Sequence, residues 1–156
     1  MADIHHFKNF SVKRADMTAD INMSRLEDNF NYAQYMLDSM VMTSMEPFMP
    51  MQDGSFINKT KVMSAAIAGT GVVVAAAPPN GRFLYEGKTM VDTKTGSPWA
   101  RRGAKKVLVS QYAGKTNARE NLSYSRGSAK AHWFDAAKDV DGKQWVKKTK
   151  KIAGGG

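Results

Sequence analysis

The chain has 156 residues, 17.2 kDa, no cysteine and a formal net charge of +9. That length suits one domain, and 42% hydrophobic residues can bury a core, which excludes a disordered tail. No apolar run approaches the ~20 residues that span a bilayer, residues 1–10 lack the apolar core of a secretory signal, and the absence of Cys excludes a disulfide framework or a thiolate metal site. The expectation is therefore a soluble, basic, single-domain protein made inside the cell.

Residues 1–22 show no sustained period and read as an N-terminal arm. His5 and His6 are adjacent, but with one further His in the chain they do not make a metal site. The first firm element starts at Ser24. Ser24-Arg25-Leu26-Glu27 has the form of a capping box. Leu26, Phe30, Ala33, Leu37 and Met40 then recur at spacings of four and three, one stripe of a helix from Arg25 to Met45. Asp28 and Asp38 lie off that stripe. Pro47 and Pro50 end the helix, and Asp53-Gly54 reads as a turn. Val62–Ala68 and Gly71–Ala77 are short, apolar and divided by Gly69-Thr70-Gly71, so they read as a hairpin.

Pro78-Pro79-Asn80-Gly81 breaks that hairpin. Arg82–Glu86 reads as one helical turn closed by Gly87, Thr89–Asp92 as a short strand, and 93–98 as a loop. Lys106–Gln111 alternates and reads as a strand, and Thr116–Arg126 as an extended piece. A terminal helix is capped by Ser128, with a stripe of Ala129, Trp133, Ala136, Ala137 and Val140. Asp141-Gly142 is expected to kink or break it, leaving Trp145, Val146, Thr149 and Ile152 in a shifted phase. The pattern predicts an α+β fold: an antiparallel β-sheet packed against a long N-terminal helix and a C-terminal helix. One domain is expected over 23–153, with 154–156 as a tail. Leu26, Phe30, Ala33, Leu37, Trp133 and Val140 are its candidate core.

A search for chemistry returns little. No H-E-x-x-H, G-x-S-x-G or P-loop pattern occurs, and Gly69-Thr70-Gly71 lacks the third Gly and the helix of a phosphate loop. His132 is read as a structural residue inside the terminal helix, and Asp135, Asp139 and Asp141 as solvated partners of nearby Lys. No catalytic, cofactor or metal residues are assigned, and the chain is not read as an enzyme. The charge is more informative. Residues 1–78 carry six Lys/Arg against eight Asp/Glu, whereas residues 79–156 carry 17 against six. Such a split either faces an anionic partner or is a solvated basic face. Seven of the 11 Met lie between Met36 and Met63, as core filler or as an interaction surface.

Four motifs in order carry a resemblance. Pro79-Asn80-Gly81-Arg82-Phe83-Leu84-Tyr85-Glu86-Gly87 resembles the Pro-Tyr-Ala-Arg-aromatic-x-Tyr-Tyr-Gly motif of the minor capsid, or neck, proteins of tailed bacteriophages. Asn80 and Gly81 stand for that motif's Tyr-Ala, and Glu86 for its second Tyr. Upstream, residues 47–56 are similar to that family's Pro-rich turn after a long helix. Downstream, Thr95–Ala100 resembles its following loop, and Ala131–Lys138 its C-terminal helix signature. The likeness spans Leu26 to Ile152.

The resemblance implies a structural virion protein without chemistry. It would be a homo-oligomeric ring, hexamer favoured over dodecamer, in the neck that joins the DNA-filled head to the tail. Its place would be the virion neck, after synthesis in the host bacterial cytoplasm. Its partners would be adjoining neck, stopper or tail-tube proteins and the passing double-stranded DNA, without sequence specificity, cofactor or membrane. A tail-completion or tail-terminator role falls within the same reading. Arg82, Phe83, Tyr85, Trp99, Arg101 and Arg102 are then the candidate subunit interface, with Arg82 expected to pair with a carboxylate or carbonyl. Lys105, Lys106, Lys147 and Lys148 are candidate contacts to DNA or an adjacent ring. The alternative, from another class, is a free basic module that binds nucleic acid non-specifically.

Overall fold

The structure, a computed structural model, describes residues 7–99 and 101–154. His5, His6 and Ala100 lie outside them. Among the described residues the fold is α+β: four α-helices and two separate two-stranded antiparallel sheets, with the long N-terminal helix packed on the C-terminal one. The chain divides into two compact units, one made of Met1–Ser44, Lys61–Val74 and Ala137–Gly156, the other of Met45–Thr60 and Ala75–Ala136.

In the first unit the segment read as an arm contains a hairpin. Strands β1 (Phe10–Arg14) and β2 (Met17–Ile21) pair antiparallel, Phe10 opposite Ile21 and Val12 opposite Ala19. Its base is tied to helix α1 (Ser24–Met45). Phe7 N–H donates to Glu27 Oε2 at 2.7 Å, Met23 N–H donates to Asn9 Oδ1 at 2.7 Å, and the Phe7 ring meets Phe30 edge-on at 5.0 Å. The expected capping box is not formed. Ser24 is already helical, its N–H is taken by Asn22 Oδ1, and Glu27 serves Phe7 instead.

The buried face of α1 is turned from the predicted stripe. Ala33 is buried as expected, but Leu26, Phe30, Leu37 and Met40 are half-buried, while Asp38, Val41, Met42 and Met45 are buried. Asp38 is inside because it has work there. Its Oδ2 accepts from Gly69 N–H at 2.8 Å and Gly71 N–H at 3.1 Å, and its Oδ1 from Gln34 Nε2 at 2.8 Å. Gly69 and Gly71 both have positive φ, +90° and +77°, and their two N–H groups meet at one carboxylate oxygen while the Thr70 N–H between them donates to Ile67 O.

The expected hairpin over 62–77 is absent. Helix α2 (Ser55–Ala66) takes its place, and the Asp53-Gly54 turn is its start: Asp53 Oδ1 accepts from Ser55 N–H at 3.0 Å. Its buried positions, Ile57, Thr60, Ser64 and the following Ala68, recur at three and four residues. The two hydroxyls hold what would have been a strand. Val74 N–H donates to Ser64 Oγ, which donates to Val74 O, both at 2.9 Å. Ala77 N–H donates to Thr60 Oγ1 at 3.1 Å.

Helix α4 (Trp133–Ile152) runs without interruption through Asp141-Gly142. Trp133, Ala137 and Trp145 are buried at multiples of four residues, so there is no phase shift, and Val140 is 65% exposed rather than core. A single Gly costs a helix only about 1 kcal/mol, and the burial of Trp145 outweighs that. Ser128 is not its cap, since its hydroxyl donates to Pro47 O at 2.6 Å. His132, read as inside the helix, sits just before it at φ +51°, and its carbonyl accepts from Asp135 and Ala136 N–H. Within the first unit, Trp145 Nε1 donates to Ser44 Oγ on α1 at 3.1 Å, and the two helices frame an open groove of about 330 Å³.

Candidate functional site

The second unit carries the four resemblance motifs' central residues. Helix α3 (Gly81–Glu86) is the predicted helical turn, closed by Gly87 at φ +67°. Gly81 stands where the resembled motif has Ala, and a Cβ there would lie 2.6 Å from the Ala76 carbonyl carbon. The chain therefore crosses too closely at this point for any side chain. Tyr85 packs its ring edge-on against Trp133 at 4.8 Å and His132 at 5.1 Å. Trp133 is fully buried and donates Nε1–H to Ala75 O at 2.8 Å. Burial pushes the Tyr85 phenol above its ordinary range, with Asp135 and Glu86 adding to the shift. Phe83 is half-buried. Arg82 is exposed and has no carboxylate or carbonyl partner among the described residues, against expectation. The α3 turn is thus a packed structural element with one outward cation.

Of the remaining candidates, Trp99, Arg101, Arg102 and Lys105 lie on one loop and Lys106 opens the strand that follows it, whereas Lys147 and Lys148 do not join them. Strands β3 (Met90–Asp92) and β4 (Lys106–Leu108) pair antiparallel, Val91 opposite Val107 and Asp92 opposite Lys106. They match the two strands expected there, β4 ending sooner because 109–111 turns into a 3-10 helix. The loop between them is organised by a residue the sequence reading did not single out. Asp92 is wholly buried. Its Oδ1 accepts from Lys94 N–H at 2.8 Å, Thr95 N–H at 3.3 Å and Arg101 Nη2 at 3.2 Å. Its Oδ2 accepts from Arg101 Nε at 3.1 Å and Arg101 N–H at 3.4 Å. The Arg101 guanidinium, with the Lys94 amide, holds the Asp92 carboxyl well below the usual carboxylate range, against the opposing effect of desolvation.

Backbone bonds complete the frame. Asp92 N–H donates to Ser97 O at 2.8 Å and Gly96 N–H to Asp92 O at 2.9 Å. Thr116 Oγ1 donates to Gly96 O at 2.6 Å, and Lys106 Nζ to Pro98 O at 2.8 Å. Gly96, at φ +65°, lies under the Tyr112 ring, where a Cβ would approach to 2.6 Å. The sequence signal for this frame was an Asp followed by Thr-Lys-Thr-Gly, the composition of a side-chain-capped turn.

The loop presents charge and one aromatic ring. Trp99 is 88% exposed, and Arg102, Lys105 and Lys106 are exposed. Lys94, Arg101, Arg102 and Lys105 line an open concavity of about 370 Å³ with Thr93 and Gly103. Arg101 thus has a double position, a strut to Asp92 and a wall of the concavity. From Thr93 to Arg119 the chain carries seven Lys/Arg and no Asp or Glu. Lys147 and Lys148 are exposed on α4 in the first unit, where Lys148 borders the α1–α4 groove.

Comparison of the chain with family models, curated proteins and solved structures finds no match. Among the described residues no three His, Asp or Glu side chains gather as metal ligands would, and no helix is long and apolar enough to cross a membrane. What the β3–β4 loop can do by its chemistry is hold an anion among several exposed cations, of which Arg101 is fixed by Asp92.

Proposed function

We propose that this chain is a structural protein of a tailed-phage virion, assembling as a ring in the neck that joins head to tail. The observation that carries the reading is the β1–β2 hairpin. All ten of its strand residues are exposed, and the register puts Phe10, Val12, Ala19, Ile21 and Met17 on one face, with Arg14 at its tip opposite Met17. A lone two-stranded hairpin in water is marginally stable at best. It gains a cover when a neighbouring copy lies across that face, burying apolar surface worth roughly 25 cal/mol per Å². An assembly protein that meets its own copies accounts for such a hairpin. The four motifs that resemble phage neck proteins point the same way, and a ring around a genome gives the basic half of the chain its counter-charge.

The experiment is an infection in which the gene is interrupted and then supplied in trans. The reading expects DNA-filled heads separated from tails in micrographs, full titre on complementation, and the chain recovered in purified wild-type virions. Intact infectious particles lacking the chain would favour the free nucleic-acid-binding module instead.

A further inference from the structure

We infer that the β3–β4 loop is a binding site for the phosphodiester backbone of nucleic acid, with Lys94, Arg102 and Lys105 as its phosphate contacts and Trp99 as an apolar contact on the same loop. The inference deepens the neck reading, on which it rests only for naming the genome as the polyanion that reaches the loop.

Four observations converge. The cations Lys94, Arg101, Arg102 and Lys105 share one open concavity of about 370 Å³. The only carboxylate bonded to any of them among the described residues is Asp92, engaged by Arg101, so the others keep their charge for an outside partner. The concavity is held before any ligand arrives. Five hydrogen bonds to Asp92 and those to Gly96 and Pro98 fix the loop, so little backbone ordering entropy remains to be lost on binding. Finally, Trp99 is 88% exposed on the same loop, a large ring that no element of the described chain covers.

Which polyanion fits follows from the residue types. Lys is depleted from protein–protein interfaces, where desolvation must be nearly complete. Here two of the four cations that line the concavity, Lys94 and Lys105, are Lys, and both are exposed. Solvated Lys suits a polyphosphate chain, where binding is driven by release of counterions and needs no dry contact. An exposed indole suits nucleic acid as well, because every base offers a π-face and every sugar an apolar edge. Phosphate contacts carry no sequence information, so binding at this site should not depend on sequence.

The test is fluorescence anisotropy with the purified full chain, a labelled 20-base-pair duplex and the matching single strand, across a salt series. Two variants remove equal charge. One is Lys94→Gln, Arg102→Gln, Lys105→Gln; the other is Lys147→Gln, Lys148→Gln, Lys151→Gln on α4. Arg101 is left in place because it braces Asp92. Each phosphate contact contributes about 0.9 to the slope of log K against log salt on duplex DNA. The loop variant should therefore lose roughly 2–3 units of slope, and the helix variant under about one. Trp99→Ala should weaken single-strand binding by roughly tenfold, with a smaller effect on the duplex. Circular dichroism confirms that each variant folds. Equal losses in the two triple variants would show a response to net charge alone and overturn the inference. So would wild-type DNA affinity in a folded loop variant; if that variant also failed to assemble, the loop's partner would be an acidic protein face. A chain that binds DNA through the loop but stays monomeric sinks the ring reading and leaves this one standing.

Discussion

Replacing Asp38 isolates the one buried carboxylate on α1. In Asp38→Ala, Gly69 N–H and Gly71 N–H lose acceptors at 2.8 and 3.1 Å, and Gln34 Nε2 loses one at 2.8 Å. A hydrogen bond to a charged group is worth about 1.5–3 kcal/mol, and a buried donor left without a partner costs about 1–3 kcal/mol. Gly69 and Gln34 are half-buried, whereas Gly71 is exposed and can turn to water. Two of the three groups therefore carry the cost, which comes to about 2–4 kcal/mol. For a chain of this length each kcal/mol moves Tm by roughly 2–4 °C, so Asp38→Ala should melt roughly 5–15 °C below the parent. Asp38→Asn is the informative control. Its carbonyl oxygen can take the Oδ2 position and keep both glycine amides, while its NH2 faces Gln34, whose amide can flip to offer oxygen. That variant should lose less than half as much. Thermal melts followed at 222 nm read both. Parent-like melting of Asp38→Ala, or equal loss in the two variants, would refute the account of why this residue is inside.

Three further outcomes follow from the geometry. Asp92 has a depressed carboxyl in the folded chain, so its contribution is whole above about pH 5. It falls away as the pH drops through the ordinary value of 3.8 toward the lower folded value. Tm of the parent should thus fall more steeply than that of Asp92→Asn between pH 5 and 3, and parallel curves would contradict the Arg101 strut. Val12→Asp places a charge on the exposed hairpin face; the monomer's Tm should stay within about 2 °C, since surface changes usually cost under ~0.5 kcal/mol, while assembly is lost by native mass measurement. Charge reversal of Arg102 and Lys105 should separate filled heads from tails in micrographs while the purified chain stays folded, and normal titres would remove any assembly role for the pair. Arg101 is kept out of that reversal because its brace to the Asp92 carboxylate would fail with it.

Much of the fold was legible where apolar period and punctuation agree. The α1 helix, the α3 turn with its closing Gly87, and both strands of the β3–β4 pair fall where the residues put them. The α2 helix was hidden because two of its three buried positions are Thr60 and Ser64, which a hydrophobic count passes over. Val72-Val73-Val74 then read as a strand, although its backbone is met by a serine hydroxyl and not by a strand partner. The β1–β2 hairpin did carry a period of two, in Phe10 and Val12 and again in Met17, Ala19 and Ile21, but each run is too short to outweigh the charges between them. Asp38 could not be placed by pattern at all, because its reason for burial lies about thirty residues away in two glycine amides. At the site, counting charge found Arg101, Arg102, Lys105 and Lys106. It did not separate Arg101, which braces the loop, from the others, and it passed over Lys94 and the Asp92 that holds them in place.

The central claim is that this chain works as a self-assembled ring, and native mass spectrometry of the purified protein across a concentration series tests it most directly. The account predicts a closed species of about six 17.2 kDa chains that Val12→Asp dissociates. A monomer at every concentration, with the Val12→Asp spectrum indistinguishable from the parent's, would contradict it.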